Sequence, residues 1–178
     1  MIPFALEHHA LVGCRLRPLA VDEAVGVASV LAGLDPWATL GYDAEALARY
    51  LIRDDPALRR FVAEQREGRP AGLLAIRTPW LRGPSIELLA VFPDHQRGGL
   101  GGMLVEWAGA QAMAGGNLWA CVSAFNGAAR RFYAGHGFVE VAHLPDLVAE
   151  GESEILLRRQ IAAHATVPTG SPATATET

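Results

Sequence analysis

Val91-Phe92-Pro93-Asp94-His95-Gln96-Arg97-Gly98-Gly99-Leu100-Gly101-Gly102 joins an apolar strand to the first turn of a helix. Glycine lets a backbone come close to a ligand. The first amides of a helix lack internal partners, and the helix dipole adds partial positive charge there. Such a terminus suits a phosphate or pyrophosphate, and Arg97 can add a charge-assisted contact. Two common phosphate motifs do not fit. The Rossmann fingerprint wants Gly-x-Gly-x-x-Gly and an acidic residue about 20 positions later. Here Gly99-x-Gly101 runs on into Gly102-Met103-Leu104, and the apolar run Ala120–Ala124 takes the later place. A P-loop needs a lysine on the phosphates, whereas all 15 basic residues are arginine. Read by itself, the segment also allows a glycine-rich turn without a ligand.

Working outward, Ser85–Phe92 reads as an apolar strand interrupted only by Glu87. Leu58–Gln65 and Ala71–Arg77 read as strands around a Gly68-Arg69-Pro70 hairpin turn, and Trp80–Pro84 as another turn. After the glycines, Gly99–Ala114 reads as a helix with Leu100, Leu104 and Trp107/Ala108 on one face, closed by Gly115-Gly116. Leu118–Ala124 suits a buried parallel strand, Asn126–Gly135 a short helix, and Phe138–Leu144 and Glu154–Arg159 two final strands. Upstream, Cys14–Leu19 reads as the first strand. Val21–Leu34 carries Val21, Ala24, Val25, Ala28 and Leu31 at helical spacing, and Asp35-Pro36 ends that helix. Asp43–Arg53 is a second helix with Leu47, Tyr50 and Leu51 on one side. The expected divisions are a leader at residues 1–13, one domain at 14–160, and a tail at 161–178. The tail is rich in Ala, Thr, Pro and Ser and is expected to be disordered. Strands and helices in this order give a mixed α/β sheet covered on both faces.

Composition sets further bounds. With 178 residues, 51% hydrophobic and 19% charged, the chain suits one domain with a full core. A net charge of −4 gives no reason to expect nucleic-acid binding. No window of about 18 residues is apolar throughout, so no membrane span is expected. Two distant cysteines, Cys14 and Cys121, form no disulfide framework and fit a reducing cytoplasm. His8-His9 has no second ligand pair at useful spacing, so no metal is expected.

The motif Gln96-x-x-Gly99-x-Gly101, after a strand with Val91-x-Pro93, resembles the CoA-pyrophosphate loop of the GNAT superfamily of acyl-CoA N-acyltransferases. A second hallmark follows it: Asn126-x-x-Ala129-Arg130-Arg131-Phe132-Tyr133-x-x-x-Gly137-Phe138. The resemblance implies a mixed, mostly antiparallel central sheet with helices on both faces and one splayed parallel pair, Ser85–Phe92 and Leu118–Ala124. It implies pantetheine running along Leu89, Ala90 and Val91, and pyrophosphate on the amides of Arg97, Gly98, Gly99, Leu100, Gly101 and Gly102, with Gln96 opening the loop. A side chain at Gly101 is expected to intrude on that phosphate. Asn126 is expected to meet the CoA arm, and Tyr133 to be the general acid for the departing thiolate. Arg97 departs mildly from the family, where glycine is common. The implied activity is transfer of an acetyl group from acetyl-CoA, as co-substrate, to a primary amine on a small molecule or peptide. Transfer is by direct attack in a ternary complex, and homodimerisation is compatible with the family. The alternative is a CoA-binding sensor or regulatory subunit without transfer activity.

Other site residues are read from their own chemistry. Glu87 is the only ionisable side chain in its strand. Period-2 geometry puts it on the face of Leu89 and Val91, where a carboxylate can take the amine proton through a water. It can equally pair with an arginine or hold the substrate ammonium. Tyr133 has the alternative of a core-edge aromatic. Cys121 reads as a buried structural thiol. Trp37, Tyr42 and Trp80 are candidates for the acceptor pocket, by apolar or cation–π contact, or else plain packing residues.

Overall fold

The computed structural model describes residues 3–65 and 68–162. Strand β4 (Pro70–Trp80) is the spine of the sheet, and its residues from Ala71 to Ile76 are buried without a break. That is the pattern of a strand covered on both faces: Leu74 and Ile76 enter one core layer, Leu73 and Ala75 the other. Strands β3 (Leu58–Gln65) and β5 (Gly83–Val91) flank it antiparallel. On the β3 side follow β2 (Cys14–Pro18) and β1 (His9–Leu11). On the β5 side follow β6 (Asn117–Ser123), β8 (Ser153–Gln160) and β7 (Val139–Pro145). The sheet order is β1-β2-β3-β4-β5-β6-β8-β7. Among the described residues, only β5 and β6 run parallel. The expected element order is therefore met, with one more strand in front.

That extra strand corrects the expected leader. His9, Ala10 and Leu11 pair with Leu16, Arg15 and Cys14. Phe4 is only 1% exposed and meets Trp107 edge-on at 5.6 Å. Contact with Trp107 and with Phe61 of β3, not sequence periodicity, orders this segment. At the other end, Ile161 exchanges backbone bonds of 3.1 and 3.0 Å with Gly115 and Gly116. The rest of the expected tail, from residue 163, lies outside the described residues.

Helices α1 (Ala24–Ala32) and α2 (Ala44–Ile52) cover one face; α3 (Leu100–Gln111) and α4 (Gly127–Gly135) cover the other. The helix expected from Val21 opens as a 3-10 turn, Val21–Glu23. This changes its phase: Ala24, Val27, Ala28 and Leu31 are buried, while Val21 and Val25 are 74% and 68% exposed. Asp43 caps α2 by accepting from the Ala46 amide at 2.6 Å, and Leu47 and Leu51 are buried as expected. No helix among the described residues is long and apolar enough to cross a membrane.

Candidate active site

The parallel pair is short. Ser85 faces Trp119 and Ile86 faces Ala120, and there the pairing stops. The cause is in β5. Ala75 of β4 pairs with Leu88 and Ile76 with Ile86, so Glu87 is one residue too many. A bulge of this kind bends a strand and re-aims its side chains. Ile86 belongs to the α3/α4 layer and Leu88 to the α1/α2 layer. Beyond the bulge, β5 stays bonded to β4 as far as Val91 but leaves β6. A cavity of about 530 Å³ fills the resulting slot. Its walls come from both layers, including Ile86 and Tyr133 on one side and Leu47 and Tyr50 on the other.

The glycine loop follows β5. Among the described residues, no acceptor takes the amides of Arg97 to Gly102; the first helical bond is Met103 N–H to Gly99 O, 3.1 Å. The amides of Leu100, Gly101 and Gly102 are thus the free donors of the first turn of α3, with those of Arg97 to Gly99 just before them, a terminus that suits a pyrophosphate. Gly99 caps the helix at φ 80, and Arg97 stands at φ 65. Both lie in the left-handed region that favours glycine, which gives a physical reason for glycine being common at the Arg97 position in the family. Gln96 does not face outward: its Nε2 donates to Val91 O at 3.1 Å. That carbonyl is therefore already engaged; since Phe92 and, by alternation, Ala90 turn their backbone groups to β4, the open edge expected for pantetheine is left with the Leu89 backbone and the Val91 N–H. Gly101 is also re-read. A Cβ there would meet Phe132 at 3.3 Å and Val91 at 3.5 Å, and at Gly102 it would meet the His136 ring at 2.9 Å. These two glycines let α3 lie against α4 and β5; their side-chain directions point into packing, and only their amides face the loop.

Helix α4 carries Tyr133. Asn126 caps the helix, its Oδ1 accepting from Ala129 N at 3.0 Å, so its Nδ2 is the group left to turn toward the slot it lines. Tyr133 is 6% exposed, and its ring sits edge-on to Phe132 and Phe138, 5.2 and 5.1 Å away. It lines the cavity, and among the described residues its hydroxyl has no hydrogen-bond partner. Burial raises its pKa above the ordinary phenol range, so it holds its proton throughout neutral pH.

Glu87 lies on the other face from Leu89 and Val91, because the bulge breaks the period-2 expectation. There it accepts from Tyr50 Oη at 2.9 Å and from Arg77, whose Nη2 is 3.0 Å away and whose Nε also donates. Arg77 reaches Asp55 as well, at 3.1 Å. The arginine pair foreseen as one reading of Glu87 is thus present. Beside that carboxylate and within the protein, the Tyr50 hydroxyl has its pKa raised, first by burial and then by the Glu87 charge.

Of the three acceptor-side aromatics, Trp37 and Tyr42 line the cavity. Trp80 does not. It pairs with Gly83 at the tip of the β4–β5 hairpin and is 42% exposed. Cys121 corrects another expectation: it does face away from Val122, but into the cavity, where it is exposed rather than buried. Partial burial and the neighbouring Glu154 push its thiol up to about 11, so it is protonated and a poor nucleophile at neutral pH. Glu154, opposite Ser123 on β8, also lines the cavity. Sequence reasoning missed it, since nothing local says that β8 will lie beside β6. Among the described residues, no group of three or more His, Cys, Asp or Glu is arranged to hold a metal.

A sequence model described as the acetyltransferase (GNAT) family matches residues 22–138. Among solved structures, a candidate GNAT-family acetyltransferase from Desulfovibrio desulfuricans is similar at 25% identity and a TM-score of 0.64. The match covers 84% of this chain and 99% of that one. Spermidine N-acetyltransferase from Vibrio cholerae, solved with CoA and spermine, is similar at 19% identity and a TM-score of 0.63, covering 84% of this chain and 96% of that one. At that identity the likeness is one of fold. No curated protein sequence matches the chain.

Proposed function

The chain belongs to the GNAT family of acetyltransferases, and from that premise we propose that it moves an acetyl group from acetyl-CoA to a primary amine. What supports this most is the slot left where β5 and β6 part after Ile86 and Ala120. It offers an unpaired strand edge at Leu89 and has Tyr133 in its wall, and the loop that follows the same strand leaves the amides of Arg97–Gly102 without acceptors among the described residues. In this reading the amides hold the pyrophosphate, with Gln96 fixing the loop to Val91 and Arg97 adding charge. The β5 edge and Asn126 hold the pantetheine arm. No metal takes part. The transferase unit is residues 14–160, with β1 packed on its edge, and it works in the cytoplasm, where both free thiols stay reduced.

The amine nitrogen attacks the thioester carbonyl and the carbon–sulfur bond breaks; the thiolate takes the proton of the Tyr133 hydroxyl, and the proton shed by the acetylated nitrogen passes through cavity water to restore Tyr133. An unpaired N–H on the splayed part of β5 stabilises charge developing on the carbonyl oxygen. An alkyl ammonium has a pKa of about 10.4 and must lose a proton before attack. Arg77 and Tyr50 occupy much of the Glu87 carboxylate, so we assign Glu87 the task of holding the acceptor nitrogen, with the proton leaving through cavity water. Holding both reactants in register supplies at most about 7–11 kcal/mol of the barrier reduction. Trp37 and Tyr42 flank the acceptor; Trp80 is left without a role at the site.

The test is thiol release from acetyl-CoA with a panel of primary amines, beside calorimetry of acetyl-CoA binding. A variant at Gly98 probes the loop. A Cβ there has only His95 O nearby, at 3.7 Å, so Gly98→Glu adds a negative charge without disturbing packing. We expect it to fold and to lose acetyl-CoA binding. Normal binding by the folded variant overturns the loop assignment. Binding by the wild-type protein without thiol release from any amine would favour a CoA sensor.

A further inference from the structure

Every ionisable carboxylate lining the cavity has a partner except one. Glu87 is held by Arg77 and Tyr50. Asp35, at the α1–α2 connection, accepts from Thr39 Oγ1 at 2.6 Å. Glu154 is 6% exposed, its Oε1 is buried with no hydrogen-bond partner, and among the described residues it makes no ion pair. Its polar neighbours on β6 are neutral: the Ser123 hydroxyl opposite it and the weakly donating thiol of Cys121. A buried carboxylate without a counter-charge is costly, and such groups are ordinarily paired. Among the described residues, no side chain that lines the cavity is cationic; Arg77 stands behind Glu87 and is engaged by it and Asp55.

We propose that Glu154 is the specificity-determining residue of the acceptor side, receiving a second positive charge carried by the substrate. The acceptor class is then amines with a further ammonium or guanidinium group. The reacting nitrogen sits beside Glu87 and has to become neutral; the remote one stays charged and pairs with Glu154. Two observations carry this: the buried carboxylate oxygen without a partner, and the place of Glu154 in the wall of the same cavity that holds Glu87 and Tyr133. A charge-assisted bond to a buried carboxylate discriminates strongly, because a substrate lacking the cation leaves the anion unpaired. The inference rests on the transferase reading for its turnover assay but not for its binding assay.

The test compares linear α,ω-diamines with n-alkylamines of equal chain length, in the wild-type protein and in Glu154→Gln. Glutamine is isosteric and uncharged, so the variant should fold with an equal or higher Tm. The wild type is expected to favour the best diamine over its matched monoamine by about tenfold or more in kcat/KM. In Glu154→Gln that ratio should fall to near one, through the KM of the diamine, with the KM of acetyl-CoA as the control. Calorimetry of diamine binding to the CoA-bound protein gives a readout without turnover, and binding lost in Glu154→Gln supports the assignment even if no amine is acetylated. Equal diamine binding by the two proteins, or a wild type with no preference for the second charge, overturns it.

Discussion

Tyr133 is buried, faces the slot, and keeps its proton at neutral pH because burial disfavours the phenolate. Such a hydroxyl is always protonated at neutral pH and so is available as a hydrogen-bond donor to the departing sulfur. Tyr133→Phe removes the hydroxyl and keeps the ring against Phe132 and Phe138. We expect kcat to fall about 100-fold, the lower end for loss of a general acid, with calorimetric acetyl-CoA affinity retained. Unchanged turnover would remove the role. Residues of this sort were legible in the sequence because Asn126 and Tyr133 sit within one local motif, as do Gln96 and Gly99. Glu87 was legible as an isolated charge in an apolar strand, but its face was not. The extra residue opposite Ala75 and Ile76 depends on how two strands pair, and no period within β5 records it.

At the scale of elements, the slot needs one closed end as much as one open end. Gly83 begins β5, and a Cβ on it would stand 1.9 Å from Asn117 O and 2.8 Å from Asn117 C. Those are backbone atoms at the start of β6, where the neighbouring strand cannot swing aside as a side chain can. Gly83→Ala should therefore pry β5 from β6 where they still touch, near Ser85 and Trp119. The expected cost is about 3 kcal/mol, read as a lower urea midpoint. A variant as stable as the wild type would show that this contact does not close the slot. The turn expected at Trp80–Pro84 is tighter, Leu81 and Arg82 alone between β4 and β5, and nothing local to it indicates that it abuts Asn117. Helix α1 teaches the same lesson differently: the heptad-like stripe was present, but a 3-10 opening turn shifted which residues it buries.

For the whole molecule, element order was legible, since each strand and helix carries its own period and its own glycine or proline punctuation. Partner choice was not: β8 lies between β6 and β7, and Phe4 and β1 join the fold, through contacts distant in sequence. These contacts also tie stability to pH. Burial raises the pKa of Tyr133 and Tyr50 above the ordinary phenol value, the Glu87 charge adding to it at Tyr50. Below about pH 10 both folded and unfolded chains hold these protons. Above it the unfolded chain releases them first, so the unfolded state binds fewer protons and stability falls as pH rises. We expect the urea midpoint to drop beyond about pH 10, and to drop less steeply in a Tyr50→Phe/Tyr133→Phe double variant; equal slopes would contradict the burial of the two hydroxyls. The slot described between β5 and β6 has a further consequence, because it is walled by both core layers and so pierces the sheet. Donor and acceptor can use separate doorways on opposite sides. Recasting the acceptor's vestibule, built from the α1–α2 connection and the turn at Leu147 and Val148, would redirect which amine is chosen while the glycine loop after β5 stays as it is.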